Sequence, residues 1–244
     1  MKVLVACEFS GIVRDAFKDR GHDAWSCDII PTERPGQHIH DYAQLILEDG
    51  WDLMIAHPPC TYLCSSGLHW NKRIPGRDKK THEAMLFIFA LMGAPIPKIA
   101  LENPVGCISS NFRKPDQIIQ PYQFGEDASK KTCLWLKGLP KLKPTKFIEP
   151  KYACKCGFRF DQSLGKYGCP DCYCENGPAK LVYGNQTPSG QNNLGPSKTR
   201  WKDRSRTYQG IADAFADQWG GLTDSKCSTK DEGAEQMVLF EQRN

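Results

Sequence analysis

The sequence predicts an α/β fold with buried, parallel-type strands and a small cysteine-rich insertion set into its second half. Three observations carry this. Residues 2–6 are apolar and lead through a Ser10-Gly11 turn into Ile12, Val13, Ala16 and Phe17, which recur at helical spacing. Residues 52–56 and 98–101 are short apolar runs with the length and flanks of buried strands. Between Leu142 and Asn193 the composition changes and cysteines crowd together. At 244 residues with 40% hydrophobic content, the chain can bury one full core and still carry an appended module.

Composition narrows the classes further. The amino terminus, MKVLVACEF, reads as a strand and not as a signal peptide, and no apolar run is long enough to span a bilayer. A cytoplasmic protein with no membrane partner is therefore expected. The twelve cysteines fall into scattered singles in apolar runs and one dense cluster, a pattern that favours metal binding and catalysis over disulfides. A net charge of +4 is mild, so any case for nucleic acid rests on where the charge lies.

The elements follow in order. The first strand and its glycine turn aim the N–H groups of a helix start at the sheet edge. Residues 22–28 form a second strand ending in Asp28, an acid placed either to accept from ribose hydroxyls or to cap a turn. Ile39-His40-Asp41 begins a third element, with Asp41 as a helix N-cap or a ligand contact. The stretch 51–67 organises the rest. Its apolar strand is stopped by His57-Pro58-Pro59, because neither proline can donate to a ladder, and Cys60 then sits on a rigid loop past a strand's carboxyl end. That edge is where open α/β sheets bind ligands, so Cys60, with Thr61, Ser65, Ser66 and Gly67 behind it, is placed like a nucleophile; the alternative is a half-buried packing cysteine. Residues 69–82 are basic and polar, either a solvated face or a mobile lid that grips phosphates. Residues 83–92 read as an apolar helix, and the strand at 98–101 ends at Glu102-Asn103-Pro104. If the two strands are neighbours, Glu102 shares an edge with Cys60.

Phe9-Ser10-Gly11 after the first strand, Asp28 after the second, Pro58-Pro59-Cys60 and then Glu102-Asn103 form an ordered set. This set resembles the motifs of the C5-cytosine DNA methyltransferases in a compact, phage-like form, over roughly residues 1–145 and a short segment near 206–220. The Pro-Pro-Cys and Glu-Asn motifs carry the likeness as a pair. The resemblance implies a Rossmann-like sheet that binds S-adenosylmethionine, with Phe9 against the adenine, Ser10 and Gly11 under the methionine part, Asp28 on the ribose, Asp41 near the adenine edge and Pro58 beside the cofactor.

The chemistry it implies accounts for the residue types. Cytosine C5 is a poor nucleophile, so a thiolate, here Cys60, adds to C6 and makes C5 enamine-like. Glu102, protonated or sharing a proton with N3, stabilises the charge that builds on the ring, while Asn103 orders the loop. The base must first leave the duplex. Two departures stand out: most members have Glu-Asn-Val where this chain has Glu102-Asn103-Pro104, and the paired arginines that contact the base oxygen are not evident. Ser129-Lys130-Lys131-Thr132 occupies the comparable place, where Lys130 or Lys131 can donate to the cytosine O2 as a point charge. Ser66 is a further candidate substrate contact.

In the insertion, Cys154-Lys155-Cys156 and Cys169-Pro170-Asp171-Cys172 read as two knuckles whose four thiolates suit tetrahedral zinc, with Cys174 able to replace one ligand. Its position matches the family's target-recognition region, so the module either presents Arg159, Lys166 and Tyr167 to DNA or is a staple without DNA contact. Residues 198–206 are dense in cations around Trp201, and Arg200, Lys202 and Arg204 suit phosphate contacts. Ile211, Ala212, Phe215, Ala216 and Trp219 then mark a closing helix. From Leu222 the chain is polar and expected to be disordered, except that Gln236, Leu239 and Phe240 resemble peptides that dock on the bacterial sliding clamp.

The expected organisation is a catalytic domain at 1–147, a zinc-binding insertion at 148–197, a basic strip and closing helix at 198–221, and a tail at 222–244. The expected function is DNA cytosine C5 methylation. Methylation of RNA or free cytosine nucleotides, transfer of a modified methyl group, and DNA binding on an inactive scaffold are the alternatives. Target sequence is not encoded in composition.

Overall fold

The computed structural model describes residues 1–175 and 177–221. The tail at 222–244, with its clamp-type motif, lies outside the described residues. The fold is mixed α/β around a mostly parallel seven-stranded sheet. In chain order the first half comprises β1 (Lys2–Ala6), α1 (Ile12–Lys18), β2 (Asp23–Asp28), β3 (His38–His40), β4 (Leu53–Ala56), α2 (Ser65–Leu68), α3 (Arg77–Gly93) and β5 (Lys98–Pro104). Then come α4 (Ile108–Asn111), β6 (Gln117–Ile119), β7 (Thr132–Lys137), β8 (Lys151–Ala153), β9 (Arg159–Phe160), β10 (Lys180–Val182), α5 (Arg200–Ser205) and α6 (Gln209–Gly220). No helix among the described residues is long and apolar enough to cross a membrane.

The strand order is β3-β2-β1-β4-β5-β7-β6, with β3 to β5 parallel and β7 reversed. The chain winds outward from β1 to β3, then returns to lay β4 on the other side of β1. This reversal is a topological switch point, and the crevice beyond the carboxyl ends of β1 and β4 is the usual ligand position of such sheets. Alternation within the strands fills two layers. Leu4, Ala6, Met54 and Ala56 face one core with Met85, Ile88 and Leu91 of α3; Val3, Val5, Leu53 and Ile55 face another with Val13 and Phe17 of α1 and Phe215 and Trp219 of α6. Both faces are covered, which is why the strands read as unbroken apolar runs.

Three boundaries depart from the sequence reading. The basic stretch at 69–82 is not a free lid: Arg77, Lys79 and Lys80 form the first turns of α3. Apolar periodicity begins only where the helix reaches the core, so these surface turns gave no signal. Strand β5 does not end before Glu102 but runs through Pro104, because reversed β7 pairs Glu102 with Leu134 and Asn103 with Cys133. Asp41 caps no helix: Tyr42 is the N-cap of a short 3-10 turn at Ala43–Ile46, and Asp41 accepts the Tyr42 N–H.

The small sheet β10-β8-β9 is antiparallel and carries its own cluster, in which three of the five buried residues are cysteines. Helix α6 returns to the body, where Gln218 and the backbone of Lys143 exchange two hydrogen bonds of 2.8 Å.

Candidate active site

Strand β5 outlasts β4. Their pairing ends at Ala56 and Leu101, so beyond it β5 has a partner only on the β7 side, and Glu102 and Asn103 turn their free edge toward the loop that leaves β4. That loop is fixed at both ends. The His57 N–H donates to the Ala6 carbonyl at 2.9 Å, and the buried Asn103 amide donates to the Pro58 carbonyl at 2.7 Å. Further on, Ser65 N–H meets the Val105 carbonyl and Cys107 N–H meets the Leu63 carbonyl. Gly106 permits this approach, since a Cβ there would run into the Leu63 backbone. Cys60 is exposed at the start of the turn, where its carbonyl accepts from the N–H groups of Leu63 and Cys64.

Glu102 meets an imidazole that sequence reasoning treated only as a strand stop. His57 Nδ1 lies 3.1 Å from Glu102 Oε2, with the two side chains 7% and 14% exposed. Burial, the largest influence, pushes the Glu102 carboxyl up, but the His57 hydrogen bond, the Lys130 and His57 charges and the Thr132 hydroxyl outweigh it, and the net pKa lies below the ordinary carboxylate value. The sequence reading has Glu102 protonated or sharing a proton with N3 of a bound base; without a base, its surroundings favour the carboxylate form. Cys60 moves the other way: the protein packed around its loop is the largest influence and pushes the thiol up, Cys64 and Glu102 add to this, and Lys130 opposes it.

At the neighbouring edge, the chain leaves β1 through Cys7, whose φ of 60° is the left-handed region that non-glycine residues rarely adopt. Glu8, which the sequence reading passed over, is buried and caps α1: its carboxylate accepts from Val13 N–H at 2.7 Å, Arg14 N–H at 3.2 Å and the Ser10 hydroxyl at 3.1 Å. A carboxylate in the motif immediately before a helix start was the available signal. Burial pushes its pKa up, and the His57 charge and the helix N–H groups pull it down less strongly. Gly11 has φ 73°, and a Cβ there would run into the buried Arg14 guanidinium, which holds the 32–35 loop through Thr32 and the carbonyls of Arg34 and Pro35. Asp28 ends β2 with one oxygen on Ile30 N–H, and burial raises its pKa. Asp41 is exposed, and Pro58 is buried in the Cys60 loop.

Segment 198–206 lies over this edge. Trp201 of α5 packs on Phe9 with centroids 5.9 Å apart, Lys202 sits over both rings and near Glu33, and Arg206 pairs with Glu33 and Asp203. Lys130 Nζ donates to the Arg204 carbonyl at 3.1 Å. Arg200 has its Nε buried without a partner. Ser66 contacts Cys64 Sγ at 3.3 Å, and Lys131 is exposed.

In the insertion, Cys154, Cys156, Cys169 and Cys172 bring their sulfurs within 4.8 Å of one another, so this cluster could hold a metal ion. Cys174 is buried with its thiol on the Lys166 carbonyl, outside the set. Arg159 turns inward: it donates to the carbonyls of Tyr183 and Val182 and pairs with Asp127 at 3.7 Å. Lys166 lies over exposed Tyr167.

No protein-family model matches the chain, and no curated protein matches it. Among solved structures, it is similar to a provisionally named DNA modification methyltransferase encoded within an E. coli prophage, with 14% identity and a TM-score of 0.39. The match covers 69% of this chain and 55% of that one, so the chain spans about half the length of that structure.

Proposed function

We propose that the chain is an S-adenosylmethionine-dependent DNA cytosine C5 methyltransferase, with its catalytic body at 1–147, a zinc-stapled recognition insertion at 148–197 and a return segment at 198–221. The observation that carries the reading is the step between β4 and β5. There an exposed cysteine in the loop that leaves β4 and a glutamate on neighbouring β5 lie close enough for the Glu102 charge to bear on the Cys60 thiol. A thiol beside a carboxylate, crossed by a lysine, suits addition to an electron-poor ring carbon with a proton managed nearby.

In this reading the exposed Cys60 thiol gives its proton to solvent and its sulfur bonds to C6 of a flipped-out cytosine; the displaced C5–C6 π pair moves through the ring to N3, which takes a proton through Glu102. Asn103 keeps the loop in place through Pro58. Lys130 faces Glu102 and Cys60 electrostatically and stands where a donor to the base oxygen is needed. When bound, S-adenosylmethionine supplies an electrophilic methyl group. Phe9, Ser10, Gly11, Asp28, Asp41 and Pro58 would hold it, and they fit in kind: an aromatic ring, a turn opening a helix and an acid with an oxygen to spare at the end of β2. Because Trp201 and Lys202 lie on Phe9, α5 must shift outward for an adenosyl group to reach that ring.

The thiol cluster suits zinc. Zinc–sulfur bonds of about 2.3 Å place tetrahedral sulfurs about 3.8 Å apart; three of the six sulfur pairs here lie at 3.3, 3.6 and 3.8 Å, and all fall within 4.8 Å. DNA contact from this module falls to Lys166 and Tyr167, since Arg159 is engaged inside the protein. Arg200, Lys202 and Arg204 become available to phosphates if α5 moves.

Nucleoside mass spectrometry of plasmid DNA from cells expressing the chain tests the reaction. A 5-substituted deoxycytidine that is present with the wild type and missing with Cys60→Ala is the expected result, and its mass identifies the transferred group. Identical DNA from both, despite folded protein, would remove duplex DNA as the substrate.

A further inference from the structure

His57 sits between two buried carboxylates, Glu102 at the end of β5 and Glu8 at the start of α1. Its backbone is pinned to β1, and its ring makes one polar contact, from Nδ1 to Glu102. The other ring nitrogen, Nε2, is buried with no partner among the described residues, and His57 is one of the residues around a small cavity shared with Glu8, Phe9, Ser10, Arg206 and Thr207. A polar atom left unmatched in the interior costs stability, so a histidine kept only for packing is poorly suited to this position. Cys60 lies three residues along the same loop, fixed by the proline pair.

We propose that His57 is a positioning residue for the reaction: its Nδ1 edge aims the Glu102 carboxyl and shares a proton with it, while the unpartnered Nε2 leaves the ring free of any competing hydrogen bond among the described residues. The proposal rests on the reading of Cys60 and Glu102 as the reacting pair and adds a place for one proton. That proton is held on the His57–Glu102 pair before addition. It passes to N3 as the Cys60 sulfur–C6 bond forms, and returns when that bond breaks. The groups that bear on the pair are Glu8 from the β1–α1 turn, Lys130, Thr132 and Cys133 from β7 and its approach, and Cys60 from the loop itself; Arg206 lines the same cavity. Burial pushes the Glu102 carboxyl up, and the His57 hydrogen bond, the Lys130 and His57 charges and the Thr132 hydroxyl outweigh it.

The test has two readouts. Carboxyl carbon NMR, with Glu102→Gln identifying the signal, follows Glu102 through an acid titration in wild type, His57→Ala and His57→Asn. The wild-type midpoint is expected below the ordinary glutamate value. In His57→Ala it should rise, since burial is less opposed, and His57→Asn, which keeps a donor without a titrating ring, should fall between. An unchanged midpoint in folded His57 variants overturns the proposal, and His57→Asn carries the test if the alanine variant does not fold. The second readout is single-turnover formation of the Cys60–DNA adduct. A loss of about 10²-fold in rate with unchanged DNA binding, and a pH profile displaced with the Glu102 midpoint, is expected for His57→Ala. A moved midpoint with an unchanged rate overturns the positioning role. A moved midpoint with no adduct in any protein, wild type included, instead strikes the assigned reaction and leaves the His57–Glu102 link standing.

Discussion

The sheet edge and the insertion both turn on cysteine, and they use it in opposite ways. Cys60 is a single exposed thiol whose surroundings are held by the packing of two hydrophobic layers and by side chains that are distant in sequence. Its partners Glu102 and Asn103 come from a strand that folds without it. In the insertion, by contrast, Cys154 and Cys169 are buried and belong to the core itself, in a cluster with Phe160, Cys174 and Ala179, while Ala153 and Val182 are buried in its strands. A cluster that small cannot offset the chain entropy of about fifty residues. In the proposed reading Cys60 does chemistry on a finished scaffold, while the cysteines of the insertion help to make theirs.

Metal removal should break this contrast most visibly. Structural zinc contributes about 10–16 kcal/mol of apparent binding free energy in small zinc-folded peptides. Chelation, or Cys169→Ser, should therefore strip hydrogen-exchange protection from β8, β9 and β10 while β1, β4 and β5 keep theirs. Zinc analysis on the same samples should show one equivalent per chain before treatment and none after. Full protection in metal-free protein would mean that apolar packing alone holds the insertion.

A smaller effect sharpens the other side. Lys130 lowers the Cys60 pKa and Glu102 raises it, within a site whose packing already pushes the thiol up. The thiolate is the reactive form, so Cys60 alkylation should speed up as pH rises, with a midpoint above the ordinary thiol value. Lys130→Met should move that midpoint higher and slow alkylation at a fixed pH; Glu102→Gln should move it lower and speed alkylation. Peptide mapping after timed iodoacetamide pulses measures both. Shifts of the opposite sign would detach Lys130 from the thiol.

Much of the body was legible in sequence because its strands are buried on both faces, which leaves apolar runs with sharp ends at Asp28 and His57. The extension of β5 through Pro104 was not, since it depends on β7, formed some thirty residues later and running in reverse. Polar first turns hid the start of α3. The insertion's knuckles were readable as spacing, and folding brings the same four sulfurs together. His57 was overlooked because a histidine before Pro-Pro reads first as the end of a strand, and its partner is 45 residues away. Cation density at 198–206 suggested a phosphate strip, but composition cannot reveal that Glu33, Phe9 and Trp201 lie within reach of Lys202 and Arg206. Arg14 is a comparable case: a fully buried cation pairs with neighbouring Asp15 at 2.8 Å and also donates to a loop eighteen or more residues away.

The most direct test of the central claim is covalent capture. Duplex DNA of random sequence containing 5-fluorocytosine, whose C5 fluorine cannot leave as a proton does, is incubated with the protein and S-adenosylmethionine and resolved under denaturing conditions. The account predicts a shifted band whose digested peptide carries the nucleotide on Cys60, lost in Cys60→Ala and strongly reduced in Glu102→Gln. An adduct on another residue, or none in zinc-loaded, folded protein that binds both DNA and S-adenosylmethionine, would contradict it.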